Sequence, residues 1–172
     1  VVLGYNPAVG AGVEADLWIG GGIYTGWLQT AVELQVRAGG DALDDAAGDG
    51  ARKITLYGLD QNWARVSEEI TLAGTSASSP TTTTFIRLHR AVVTEAGLYG
   101  AANEADILIE TSDSAGDLVA NLQAGASKTQ LGLYSIPAGF TGYIGRISIS
   151  SAGSKETLVR LWQRQNADII VA

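Results

Sequence analysis

Apolar and polar residues alternate with a period of two along much of the chain. In residues 31–37, Val32, Leu34 and Val36 fall on one face and Glu33, Gln35 and Arg37 on the other, the mark of a strand with one wet side. Residues 52–58 repeat the pattern with Ile54 and Leu56 inward. A Gly/Asp/Asn turn at 58–62 leads into residues 63–72, where Val66, Ile70 and Leu72 share a face with Glu68. Either a bulge at Glu68-Glu69 turns that carboxylate outward, or the face is partly wet. The same reading predicts strands at 84–94, 106–110, 118–122, 130–136, 141–150 and 157–164, with a less regular one at 16–19. No stretch holds a 3.6-residue period over three turns. Residues 41–47 could form one helical turn before Gly48-Asp49-Gly50 ends it.

Many short strands at this spacing predict an all-β fold, an antiparallel β-sandwich with jelly-roll or Greek-key connections. The first thirty residues differ. Gly4, Gly10, Gly12, Gly20 to Gly22 and Gly26 punctuate Tyr5, Trp18, Tyr24 and Trp27. That pattern predicts an extended N-terminal arm (1–30) with aromatic anchors, followed by a sandwich domain (31–172). The arm could dock on its own sandwich or on a neighbouring subunit, and its four aromatics are the candidate interface residues. The tract 76–84, rich in Ser and Thr, reads as a loop leading into a strand.

Composition narrows the chemistry. The 172 residues include no Cys, no Met and one His. Disulfides, thiolate metal sites and a thiol nucleophile are therefore excluded, and a Ser–His–Asp arrangement would have to use His89. Flanking Arg87 and Arg90 would lower the pKa of His89 and suit a neutral strand histidine. Charged residues are 17% of the chain, and Lys+Arg number 11 against 18 Asp+Glu, a formal charge of −7. Residues 1–50 hold seven acidic side chains and only Arg37 as a base, so −6 of that charge lies there. Nucleic acid, which needs clustered cations, is not an expected partner. The one basic cluster is Arg146, Lys155, Arg160 and Arg164, with Glu156 among them. The longest apolar runs are too short for a membrane helix of roughly 20 residues, and the first residues lack the basic n-region and apolar h-region of a signal peptide. No cofactor is expected. Asp41, Asp44, Asp45 and Asp49 could supply oxygens to calcium, but their spacing is not that of an EF-hand and a solvated turn is the default. Trp18, Trp27, Trp63 and Trp162 could stack on sugars, against the commoner role of Trp as a core or interface anchor.

Several segments together resemble a known family. GDGARKITLYGLD at 48–60 with Trp63, EITLAG at 69–74 and TQLGLYSIPAG at 129–139, with FIRLHRA at 85–91 and the strand near 103–109 between them, are similar to a family of structural proteins of tailed bacteriophages. The likeness spans roughly residues 30–150 and lies in strand and turn motifs. It implies a non-enzymatic virion component, a capsid decoration or cement protein on the head surface. The implied partners are the major capsid protein, or other virion proteins, and further copies of itself, as a homotrimer. It transfers no functional residue. Two rival functions are a receptor-binding or fibre domain recognising host-surface glycans, and a secreted enzyme or its accessory sandwich domain.

Overall fold

A computed structural model describes residues 2–98, 100–151 and 157–163. Among these residues there is no helix; six strands are present. They are β1 (Leu34–Ala38), β2 (Ala51–Leu59), β3 (Arg65–Thr71), β4 (Arg87–Ala96), β5 (Ile107–Thr111) and β6 (Leu118–Leu122). They form two antiparallel three-stranded sheets, ordered β1-β5-β6 and β3-β2-β4. Leu34, Val36, Ile107, Ile109 and Leu122 of the first sheet and Ile54, Leu56, Ile70 and Leu88 of the second are buried in one shared core. The alternation seen in the sequence is thus the side-chain alternation of a pleated chain with one face in the core.

Register follows the same logic. In the β2–β3 hairpin Ile54 lies opposite Ile70 with no bulge. Asp60 builds the connecting turn: its carboxylate accepts from the N–H groups of Asn62 and Ala64 at 2.8 and 2.9 Å. The turn places Trp63 at φ 60°. Register shifts occur instead between β2 and β4, at Ala51–Ile54 and Tyr57/Gly58, and between β5 and β6 at Ile109/Glu110. At Gly58 a Cβ would run into the Arg87 carbonyl and the Phe85 ring, so the chain passes there only as glycine. On the outer face Lys53 reaches Glu95 at 2.9 Å and Glu69 at 3.3 Å, linking all three strands of that sheet.

No bulge removes Glu68 from the inward face. It stays half-buried, and its carboxylate accepts from the Thr82 and Thr83 N–H groups at 2.9 and 2.7 Å. Burial alone would raise its pKa. The N–H and hydroxyl groups of Thr82 and Thr83 outweigh that and hold it below the ordinary carboxylate value.

Two sheet edges are closed without a regular strand. Along β1, the Leu34 N–H donates to Thr81 Oγ1 at 2.9 Å and the Val36 N–H to Ser78 Oγ at 3.0 Å. In return the Thr81 and Ser78 N–H groups donate to the Leu34 and Val36 carbonyls, both at 2.8 Å. Thr129 repeats the device on β4, accepting from the Ala91 N–H at 3.0 Å and donating its own N–H to the Ala91 carbonyl at 2.9 Å. Hydroxyls here complete a ladder that a neighbouring strand would otherwise supply. The Ser/Thr-rich tract is therefore an edge cover.

Four strand expectations are corrected. Residues 16–19 and 130–136 form no strand; they meet in a single antiparallel bridge, Trp18 to Leu131. Their partners are irregular segments, so alternation buries Leu131 without building a ladder. Residues 141–151 and 157–163 contain no strand. The 41–47 segment consists of turns. The chain divides into two compact units, Val1–Phe140 and Thr141–Ala172. Of the basic cluster, Lys155, Arg164 and the accompanying Glu156 lie outside the described residues.

Candidate functional site

The N-terminal aromatics are brought together. Trp18 and Tyr24 pack edge to face with ring centroids 5.2 Å apart, and Tyr24 and Trp27 do the same at 5.1 Å. The local chain is shaped by Asp16, whose carboxylate accepts from the Tyr24 N–H at 2.7 Å. Trp18 and Tyr24 are buried within the chain's own core, and Trp27 is half-buried against it. The Tyr24 hydroxyl reaches the Val119 carbonyl of β6 at 2.9 Å, and burial pushes its pKa far up. Of the two docking modes open to these anchors, Trp18 and Tyr24 take the first, their own sandwich. Tyr5 is different. It lies half-exposed in a segment that also leaves Leu3, Val9, Val13, Leu17 and Ile23 about half in water.

Trp27 forms one wall of a cleft of about 420 Å³ shared with Trp18, Gln29, Asp117 and Leu118. Arg87, buried at the start of β4, sits between two indoles, with its guanidinium 5.3 Å from the Trp27 ring and 5.1 Å from that of Trp63. Its Nη1 donates to the Leu28 carbonyl at 2.7 Å and the Ile86 carbonyl at 2.5 Å. This cation–π arrangement ties the segment after Trp27 to the β2–β3 turn. In the sequence Arg87 stands out only as a neighbour of His89. Its place between two distant tryptophans has no local signature. Of the four tryptophans proposed as sugar platforms, Trp18 is buried, Trp27 and Trp63 flank Arg87, and Trp162 is half in solvent.

The acidic loop does not converge on a common point. Asp44 is fully buried. Its Oδ1 accepts from the Ala51 and Glu104 N–H groups at 2.8 and 3.0 Å, and its Oδ2 from the Ala105 N–H at 2.9 Å. Asp41 and Asp45 each accept from an N–H two residues on, Leu43 at 2.9 Å and Ala47 at 2.7 Å. These are turn-stabilising contacts. Among the described residues, no group of three or more His, Asp or Glu side chains is placed to hold a metal ion.

His89 lies half-buried on β4 with its ring 4.5 Å from that of Tyr134. Its Nε2 accepts from the Ser135 N–H at 3.2 Å, so the lone pair a general base would use is occupied. Burial, reinforced by Arg65 and Arg87, pushes its pKa down to about 4 from the ordinary 6.5. The unfolded chain takes up a proton near pH 6.5 that the folded chain refuses until about pH 4. The stabilisation from neutral His89 is therefore complete above pH 6.5 and is lost as pH falls toward 4. The expected loss is on the order of 1–2 kcal/mol, allowing for partial solvent access. Urea denaturation at stepped pH should show this slope, and His89→Gln should flatten it. The contribution of Glu68 fades in a lower window, below its ordinary value of 4.5.

No family model matches the chain, and searches of curated proteins and of solved structures likewise return no match.

Proposed function

We propose that this chain is a non-enzymatic structural component of a tailed-phage virion, a decoration or cement protein that binds the head shell and stabilises it. The observation that carries the reading is the series of half-exposed apolar residues along the N-terminal segment, Leu3, Tyr5, Val9, Val13, Leu17 and Ile23. It belongs to a segment anchored to the body through Trp18 and Tyr24. So many half-exposed apolar side chains on one anchored segment favour contact with another protein. The resemblance of residues 30–150 to phage structural proteins supplies the kind of partner: the major capsid protein or another virion protein, and further copies of this chain as a homotrimer. On this reading the arm binds with Tyr5 and its half-exposed apolar neighbours, with Trp27 at the margin. The crossovers from β1 to β2 and from β4 to β5 are the Greek-key-like connections of the body.

The test is to replace Tyr5, Val9 and Val13 with Ser. All three are about half-exposed or more, so the melting temperature should stay within a few degrees of the parent. Loading onto purified shells, measured by sedimentation and mass spectrometry, should fall at least about tenfold. Full loading by the triple variant overturns the proposal. A second reading, recognition of host-surface glycans, is favoured by the Trp27 cleft with its Gln29 and Asp117 polar groups. Glycan binding that Trp27→Ala removes, with no affinity for shells, would move the assignment there.

A further inference from the structure

The stretch 141–150 combines two properties that conflict in an isolated chain. From Gly145 onward its sequence alternates as a strand does, with Ile147 and Ile149 in phase with Tyr143 on one side and Arg146, Ser148 and Ser150 on the other, where Ile144 is the one apolar residue. Its backbone nevertheless joins no strand pair, and its apolar side chains stand in solvent, Tyr143 at 90% and Ile147 and Ile149 above half. Residues 157–163 likewise expose Leu158, Leu161 and Trp162. Meanwhile the core of the first unit is complete without this region: its buried cluster runs from Trp18 to Leu131.

The body offers an open edge. The Leu72 N–H donates to the Arg52 carbonyl and the Asp60 N–H to the Ala64 carbonyl. Together with the uninterrupted β2–β3 register, those bonds turn the backbone groups of Val66, Glu68 and Ile70 toward β2. The backbone groups of Arg65, Ser67, Glu69 and Thr71 therefore point away from the sheet. Among the described residues no main-chain bond meets them. The β1 and β4 edges, by contrast, are covered by residues 78–81 and 127–129.

Charge separates donor from acceptor. Residues 141–172 carry four basic and two acidic side chains, net +2, whereas residues 1–140 carry seven basic and sixteen acidic, net −9. We propose that residues 141–150 are an exchange arm that adds as a strand to the β3 edge of a second copy of this chain. A pairing that sets Tyr143, Ile147 and Ile149 on the side of Val66 and Ile70 places Arg146 on the outer side with Ser67 and Glu69, because opposite residues share a face. The contact is heterologous: the arm of one copy meets the edge of the next, and a three-copy ring closes it. It buries the apolar side of the arm and satisfies the outward β3 groups together. The inference rests on the self-association in the reading above and is independent of capsid binding.

The experiment uses the purified full chain without shells. Analytical ultracentrifugation should show a closed oligomer, and Ile147→Asp with Ile149→Asp should weaken association at least about tenfold while changing the far-ultraviolet spectrum by no more than the loss of the arm strand. Because the chain has no cysteine, Ser67→Cys and Ser148→Cys chains, made separately, mixed and oxidised, should give a mixed disulfide between copies. A monomeric parent chain, or an oligomer indifferent to the double Asp change, overturns the proposal. So does a bond that forms only when both cysteines are in one chain. A monomer that still loads onto shells removes the arm and leaves the decoration reading standing.

Discussion

Replacing Asp44 by Ala is expected to destabilise the fold by about 3–5 kcal/mol, the largest effect foreseen for any single side chain outside the apolar core. Asp44 is fully buried and its two oxygens receive three backbone N–H groups, from Ala51 at the start of β2 and from Glu104 and Ala105 ahead of β5. Those donors belong to chain segments that lead into different sheets, so one carboxylate fastens the entry to both. Removing it leaves three polar groups without acceptors at a site where little water can enter. Asp44→Asn separates the parts of this effect. Its amide oxygen can keep the Oδ1 bonds to Ala51 and Glu104, while the NH2 group faces the Ala105 N–H, donor against donor. The expected loss is then about 1–3 kcal/mol. Gly50 belongs to the same arrangement, since a Cβ there would run into the Asp44 carboxylate. Urea denaturation of the three proteins gives the comparison. An Asp44→Ala protein as stable as the parent would show that these hydrogen bonds do not hold the loop.

The second large effect is expected at the β1 edge. Thr81→Val keeps the shape of the side chain but removes the oxygen that accepts from the Leu34 N–H, and Ser78→Ala does the same to Val36. Each should cost about 1–3 kcal/mol, because the orphaned N–H groups are buried. The double change should depart from additivity, since both hydroxyls serve one short strand through the same covering segment. Thr81→Ser retains the hydroxyl and should recover most of the loss. Native-state hydrogen exchange locates the effect: protection should fall at the Leu34 and Val36 amides and hold at Ile54 and Leu56. Uniform loss across both sheets would mean that the covering segment is part of the global folding unit. Unchanged protection at Leu34 would rule out the hydroxyl as its acceptor.

Six strands were readable from the period-two pattern, because each sets apolar side chains against the same core, although the β2–β4 register shifts break the alternation and both faces of β6 are buried. The pattern failed where burial was present without a ladder. Leu131 is buried, yet its neighbour is the irregular segment around Trp18, and Gly132 is there to let Gly4 and Leu17 approach closely. It failed again at 141–150, where alternation is present without a partner. The lowered pKa of His89 was legible from Arg87 beside it, but burial is the larger cause, and the other contributing cation is Arg65 of β3 rather than Arg90. The role of Asp44 was not legible. Two of its three donors lie some sixty residues away, and only the fold brings them to the carboxylate. The same distance hides Arg87, whose stacking partners Trp27 and Trp63 come from separate turns.

The residue order alone determined that this chain is built of short antiparallel strands with apolar sides, that thiol chemistry is closed to it, and that its first fifty residues carry −6 of its −7 net charge. These are properties of composition and of neighbours two positions apart. Which edges are sealed by hydroxyls, which acid is buried and which is wet, and which apolar residues are left facing solvent were decided by tertiary structure. Each depends on donors, acceptors and surfaces supplied by segments tens of residues away, whose meeting no local pattern encodes.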